Sequence, residues 1–254
     1  MTVDQLNKMK LNSLIDFSLH LADNALILGQ RNAEWCGHGP VLEQDIAITN
    51  ISLDLIGQAR SLYQYAAQLK ADGSTEDSLA YLRTEREFRN CLLVEQPNGD
   101  WAQTMLRQFL FSSYQYYLYQ YLQNNKEETL AAIAEKSLKE VSYHLRWSSE
   151  WIVRLGDGTE ESHSRMLKAL EELWRYTGEL FITAPYENDL GIAISSLKDD
   201  WSKKVNIVFE EATLKTPENV FMQTGGKTGM HTEHLGFMLT ELQYIQRVYP
   251  GCEW

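Results

Sequence analysis

Glu160 and His163 stand three residues apart, the spacing that puts a carboxylate and an imidazole on one face of a helix. A di-iron centre in a helical bundle needs two such Glu-x-x-His pairs, plus a Glu from each of two further helices. This sequence contains the motif once. The copy follows Gly156-Asp157-Gly158 and is surrounded by Asp157, Glu161 and Ser162. It reads as a solvated helix start, where carboxylates are favoured by the helix dipole. One exposed copy cannot build the site.

Other candidates are weaker. Glu140 and His144 are four apart, and His144 borders an apolar stripe through Val141. A buried, hydrogen-bonded histidine is the plainer reading there, a metal ligand the sharper one. Asp54 shares a stripe with Glu43, Asn50, Gly57 and Ser61, a polar seam on an otherwise apolar segment. That seam reads as a catalytic acid, as a buried polar network fixing helix register, or as a face toward a partner. His231-Thr232-Glu233-His234 could mark a metal cluster, and Gly225 to Gly229 (GGKTG) looks like a phosphate loop. The phosphate-loop spacing is missing and no strand precedes it, so a structured turn before a helix is expected. Cys36 and His38 lie two apart in a loop, without the surroundings that activate a thiol. Tyr114, Tyr116, Tyr117, Tyr119 and Tyr121 crowd into eight positions. Rings packed this densely cannot all face one core, and Tyr is favoured where proteins meet. These five are the candidate interface, with ordinary surface tyrosines as the alternative.

The elements that must position these residues are helices. Prolines stand at 40, 97, 185, 217 and 250, and helical periodicity fills the stretches between them. Helices are expected over about Leu11 to Gln30, Pro40 to Lys70, a short one from Glu76, Asp100 to Gln123, Lys126 to Leu155, Thr159 to Phe181, Ser196 to Leu214 and Thr232 to Val248. The second is apolar almost all round, as a central buried helix would be. Lys215 to Gly229 reads as irregular. The result is an all-α antiparallel bundle, one domain over 1–254, with the part after Pro185 wrapped onto it.

Composition narrows the function. The chain has 254 residues, 44% of them hydrophobic, with a net charge of −12. This acidity argues against nucleic-acid binding and against docking to an anionic membrane. No apolar run approaches the ~20 residues that span a bilayer. Three widely spaced cysteines and no apolar leader fit a reduced, cytoplasmic setting.

Several segments in combination resemble one family. They are Glu34-Trp35-Cys36-Gly37-His38-Gly39-Pro40, Asn50 through Arg60 (NISLDLIGQAR), Val94-Glu95-Gln96-Pro97-Asn98-Gly99, Gly225-Gly226-Lys227 through His231-Thr232-Glu233-His234-Leu235-Gly236, and Gln246 through Gly251. Together they resemble the C-subunit family of bacterial phenylacetyl-CoA epoxidase complexes. The likeness runs from about residue 20 to the C-terminus, with residues 1–12 as a flexible N-terminal extension. It implies a ferritin-like bundle in a multicomponent oxygenase. In such a complex a related A subunit holds the di-iron centre and forms the ring 1,2-epoxide, and a reductase supplies electrons from NADPH. The C subunit pairs with A and is structural, and a small B subunit is a further expected partner.

The resemblance also implies degenerate iron positions. Catalytic relatives read Asp-Glu-x-Gly-His where this chain has Asp54-Leu55-Ile56-Gly57-Gln58, and Glu-Glu-x-Phe-His where it has Glu140-Val141-Ser142-Tyr143-His144. Leu55, Gln58 and Val141 thus replace ligands and His144 alone remains. A first-helix carboxylate would fall near Asn24 or Ala25, beside Asp23. The expectation is a non-catalytic subunit with no metal, no cofactor and no catalytic residue of its own. An active di-iron oxygenase with an atypical ligand set is the alternative.

Overall fold

The first helix starts at Val3, eight residues before the expected Leu11, with Thr2 as its cap. In the computed structural model, which describes residues 2–252, α1 covers Val3–Ala33. Met1, Glu253 and Trp254, included in the expected domain, lie outside the described residues. The Thr2 hydroxyl accepts from Gln5 N, and the Gln5 side chain accepts from Thr2 N, a reciprocal cap that sets the start. From Asp4 to Asn12 every side chain except Met9 is exposed, so the expected extension continues the helix without joining the core.

α2 (Leu42–Lys70) returns antiparallel along α1. The two approach closely at Gly29, where a Cβ would sit 3.2 Å from Leu55 Cβ. Ser52 Oγ donates to the Gly29 carbonyl across that contact at 2.6 Å. The helix stops at Ala71, in left-handed geometry at φ 49°. All-round burial of α2 was the expectation, and the structure corrects it. Ile48, Ile51 and Leu55 are in the core, but Ile46, Leu53 and Ile56 are exposed. The bundle packs against one side of α2, and among the described residues no element covers the other.

α3 (Glu76–Tyr81) and α4 (Leu92–Glu95) form a crossing segment. α5 (Trp101–Leu122) begins as expected at an Asp100 cap, whose carboxylate accepts from Gln103 N at 3.0 Å. α6 (Glu128–Gly156) runs back along it. The α1–α2 and α5–α6 hairpins pack together as a ferritin-like antiparallel bundle, and among the described residues there is no strand.

The remaining helices wrap this bundle. α7 (Glu160–Leu173) is shorter than expected. Two 3-10 turns, Trp174–Tyr176 and Gly178–Phe181, replace its end, and the Thr177 hydroxyl donates back to the Trp174 carbonyl at 2.8 Å. α8 (Pro185–Asp189) packs on α1. α9 (Lys198–Glu211) is anchored to α5 by Trp201 Nε1, which donates to the Leu110 carbonyl at 3.0 Å. The single last helix of the sequence reading is two, α10 (Glu233–Leu242) and α11 (Tyr244–Val248). They part at Gln243, whose buried amide donates to the carbonyls of Ala80 at 3.2 Å and Arg83 at 3.0 Å.

Candidate functional site

Leu55 on α2 and Val141 on α6 are fully buried in the bundle interior. Both are apolar, as packing requires of side chains without hydrogen-bonding groups. The polar residues beside them bond one another across three helices. Gln58 Nε2 donates to Glu140 Oε2 at 2.9 Å. Tyr119 on α5 donates its hydroxyl to Gln58 Oε1 at 3.3 Å, and Gln115 Nε2 reaches the same oxygen at 3.5 Å. Burial pushes the Tyr119 phenol well up, so it stays protonated as that donor. His144 is fully buried, and its Nε2 lies 2.9 Å from Asp54 Oδ2. A carboxylate can only accept, so the proton is on Nε2. His144 Nδ1 has no protein partner.

Three helices are therefore joined at the positions where the family resemblance places iron ligands. The residues do not fit a di-iron group. Two of the four positions carry hydrocarbon, and the Gln58 amide is bound to Glu140. His144 offers one nitrogen lone pair, whereas such centres are built from four carboxylates and two imidazoles. Among the described residues no three His, Cys, Asp or Glu side chains converge in a way that could hold a metal. The first-helix candidates are engaged elsewhere. Asp23 Oδ1 accepts from Tyr63 at 2.6 Å and from the Arg83 guanidinium, and its Oδ2 accepts from Arg89 N at 2.8 Å. Asn24 Oδ1 accepts from Cys91 N at 2.8 Å, and Ala25 is packed in the core.

The sequence stripe around Asp54 divides. Asp54 turns inward to His144, while Glu43, Asn50 and Gly57 are exposed, so this is no buried polar seam. The tyrosines divide as well. Tyr114 and Tyr119 are buried within the chain, which removes them from any surface contact. Tyr116 and Tyr117 are partly covered and meet edge to face at 5.3 Å, and Tyr121 is exposed. Glu160 and His163 form no ligand pair: His163 Nδ1 bonds the Gly156 carbonyl at 2.6 Å, closing the end of α6. Cys36 is exposed, and its carbonyl, not its thiol, meets His38 at 3.2 Å.

A second buried polar cluster escaped the sequence reading. The Gly225 to Gly229 loop cradles a carboxylate of its own chain. Glu179 Oε1 accepts from Gly225 N at 2.8 Å and Lys227 N at 3.4 Å, and Oε2 accepts from Leu92 N at 2.7 Å. Gly229 closes the turn at φ +82°, where a side chain would also strike the Arg86 carbonyl. Lys227 Nζ is buried against Glu187 at 3.0 Å and donates to the Ile182 carbonyl at 2.9 Å. Burial raises both Glu179 and Glu187 above the ordinary carboxylate range. His231 Nδ1 lies 2.8 Å from Glu95, and His231 does not meet His234 at a metal. Burial opposes the charged form of His231, but the Glu95 hydrogen bond and charge prevail and raise it. Burial and Lys227 lower His20 to about 3, so His20 is neutral beside Glu187 and their 3.8 Å approach is no ion pair. The cluster fastens the C-terminal segment to the bundle. Its acids stand in apolar strings, Glu95 after Leu92-Leu93-Val94 and Glu179 before Leu180-Phe181, and that context was the available signal.

The fold and site define a class of protein: a ferritin-like helical bundle that carries packing and amide bonds where the family resemblance places iron ligands. The chain belongs to the phenylacetic acid catabolic protein family, whose model matches residues 1–254. It is 47% identical over 249 residues to the C subunit of the 1,2-phenylacetyl-CoA epoxidase of Escherichia coli (strain K12), covering 96% of this chain and all of that protein. Among the described residues no helix is long and apolar enough to cross a membrane.

Proposed function

We propose that this chain is the non-catalytic structural subunit of a phenylacetyl-CoA epoxidase complex in aerobic phenylacetate degradation. In this reading it works in the cytoplasm, pairs with the di-iron catalytic A subunit and stabilises it, with the small B subunit as a further partner. The observation that carries the reading is that Leu55 and Val141, at two positions where the resemblance expects ligands, are both fully buried hydrocarbon. An empty di-iron pocket would leave several carboxylates facing each other in a low dielectric, which is costly. Leu55 and Val141 instead fill the bundle interior, and the remaining polar groups bond one another. A chain of this kind keeps the family fold and contributes shape to a partner.

The test is to express an A subunit with and without this chain, supply its reductase and NADPH, and assay epoxidation of phenylacetyl-CoA. The expected result is a soluble, active A subunit only when this chain is present. An A subunit that is fully soluble and fully active alone would overturn the stabilising role.

A further inference from the structure

We infer that the outward face of α2 is the docking seam for a helix of a different, less acidic chain. The inference rests on the pairing reading above and adds the surface that carries it. Leu42, Ile46, Leu53 and Ile56 are 72, 51, 61 and 39% exposed, an unusual set of large apolar side chains for one helix face. Their spacing is the informative feature. From Leu42 the steps of four and three residues pass through Ile46, Thr49, Leu53 and Ile56 to Arg60. That rhythm is the a/d seam of helices packing side by side at a shallow angle. It runs for about 27 Å at 1.5 Å per residue, the footprint of a long partner helix.

Gly57 points the same way. It lies in the middle of α2, where glycine weakens a helix relative to alanine. Among the described residues, nothing beyond the helix's own backbone lies within 4 Å of where its Cβ would be, so no contact there requires its smallness. Gly29, by contrast, is small because Leu55 presses on it. A glycine between Leu53 and Arg60 on an open face lets another helix backbone come close.

Charge selects the occupant. A second copy would bring another chain of net charge −12 against this one. A less acidic chain meets the same seam without that repulsion. Docking there would also cover Asp54, whose bond to His144 reaches the bundle interior.

The experiment compares binding of the A subunit to the full-length chain and to Leu53→Glu, Gly57→Leu and, on the exposed side of α9, Ile207→Glu. Circular dichroism and thermal unfolding verify that each variant is folded. Leu53→Glu and Gly57→Leu are expected to weaken binding at least 30-fold (about 2 kcal/mol at 1.4 kcal/mol per tenfold), with Ile207→Glu within about twofold of wild type. Seam variants that bind like wild type overturn the seam and leave the pairing reading standing. A wild-type chain that never binds the A subunit overturns the pairing reading. A wild-type chain that dimerises with itself through this face, and becomes monomeric on Leu53→Glu, overturns the choice of occupant.

Discussion

Asp54 Oδ2 accepts a hydrogen bond from His144 Nε2 at 2.9 Å, tying α2 to α6 beside the buried Leu55 and Val141. The imidazole is fully buried and the carboxylate is half-exposed. His144 therefore acts as a strut between helices, and its loss removes both a bond and packed volume. His144→Ala is expected to cost about 2–3 kcal/mol. Asp54→Asn keeps an acceptor oxygen and is expected to cost under about 1 kcal/mol. At about 2–4 °C per kcal/mol for a chain of this size, the two are separable by thermal unfolding. Equal losses would contradict the strut.

Leu55 tests whether the interior is packed or is a vacant site. Leu55→Met, close in volume, is expected to cost less than about 1.5 kcal/mol. Leu55→Glu places a carboxylate where the family resemblance puts a ligand but buries it without a metal, at a cost of about 3 kcal/mol or more. Denaturant midpoints measure both. A well-tolerated Leu55→Glu would mean that room and partners for a carboxylate persist.

Lys227 holds the C-terminal segment through Glu187, and both side chains are buried. Lys227→Met leaves the carboxylate unpaired and is expected to cost about 3–5 kcal/mol. Adding Glu187→Gln removes the stranded charge and is expected to restore more than half of that loss. Urea unfolding of the two variants decides this, and a double variant no better than the single one would contradict the pairing.

His20 and His231 give the stability curve opposite limbs. His20 falls from 6.5 to about 3 in the fold through burial. Its contribution is present above pH 6.5 and is lost as the pH falls toward 3, because the unfolded chain takes up the proton first. His231 is raised beside Glu95. Its contribution is present below 6.5 and is lost as the pH rises through its folded value. Glu179 and Glu187, raised by burial, oppose His20 over the carboxylate range, so the readout is the difference from a variant. His20→Gln, which can still donate to the Arg89 carbonyl that His20 Nδ1 meets at 2.7 Å, is expected to flatten the fall between pH 7 and 5 and leave the alkaline limb unchanged. Urea midpoints across that range check it, and identical acid limbs would refute it.

How much of this was legible in the sequence depended on how local the cause was. The Asp100 cap, the long helical stripes and the hydrocarbon at Leu55 and Val141 are local, and they are where the sequence places them. The outward face of α2 was misread because Ile46 and Leu53 have the same hydropathy whether their own chain or another covers them. Periodicity finds an apolar face but not its partner. Tyr114 and Tyr119 could not be told from Tyr116 and Tyr121, because sidedness within a dense aromatic run depends on which neighbours pack against it. His231 and Glu95 are 136 residues apart, and no spacing rule reaches that far. The buried acids stood out only as charges inside apolar strings.

The proposed subunit keeps the family fold and carries packing, not iron, in its bundle interior. The most direct test is the metal content of this chain, purified alone from iron-replete cells and measured by plasma emission against protein concentration. The account predicts iron well below one atom per chain, with helicity and cooperative unfolding unchanged by a chelator. Iron at about two atoms per chain, lost together with the fold on chelation, would contradict it.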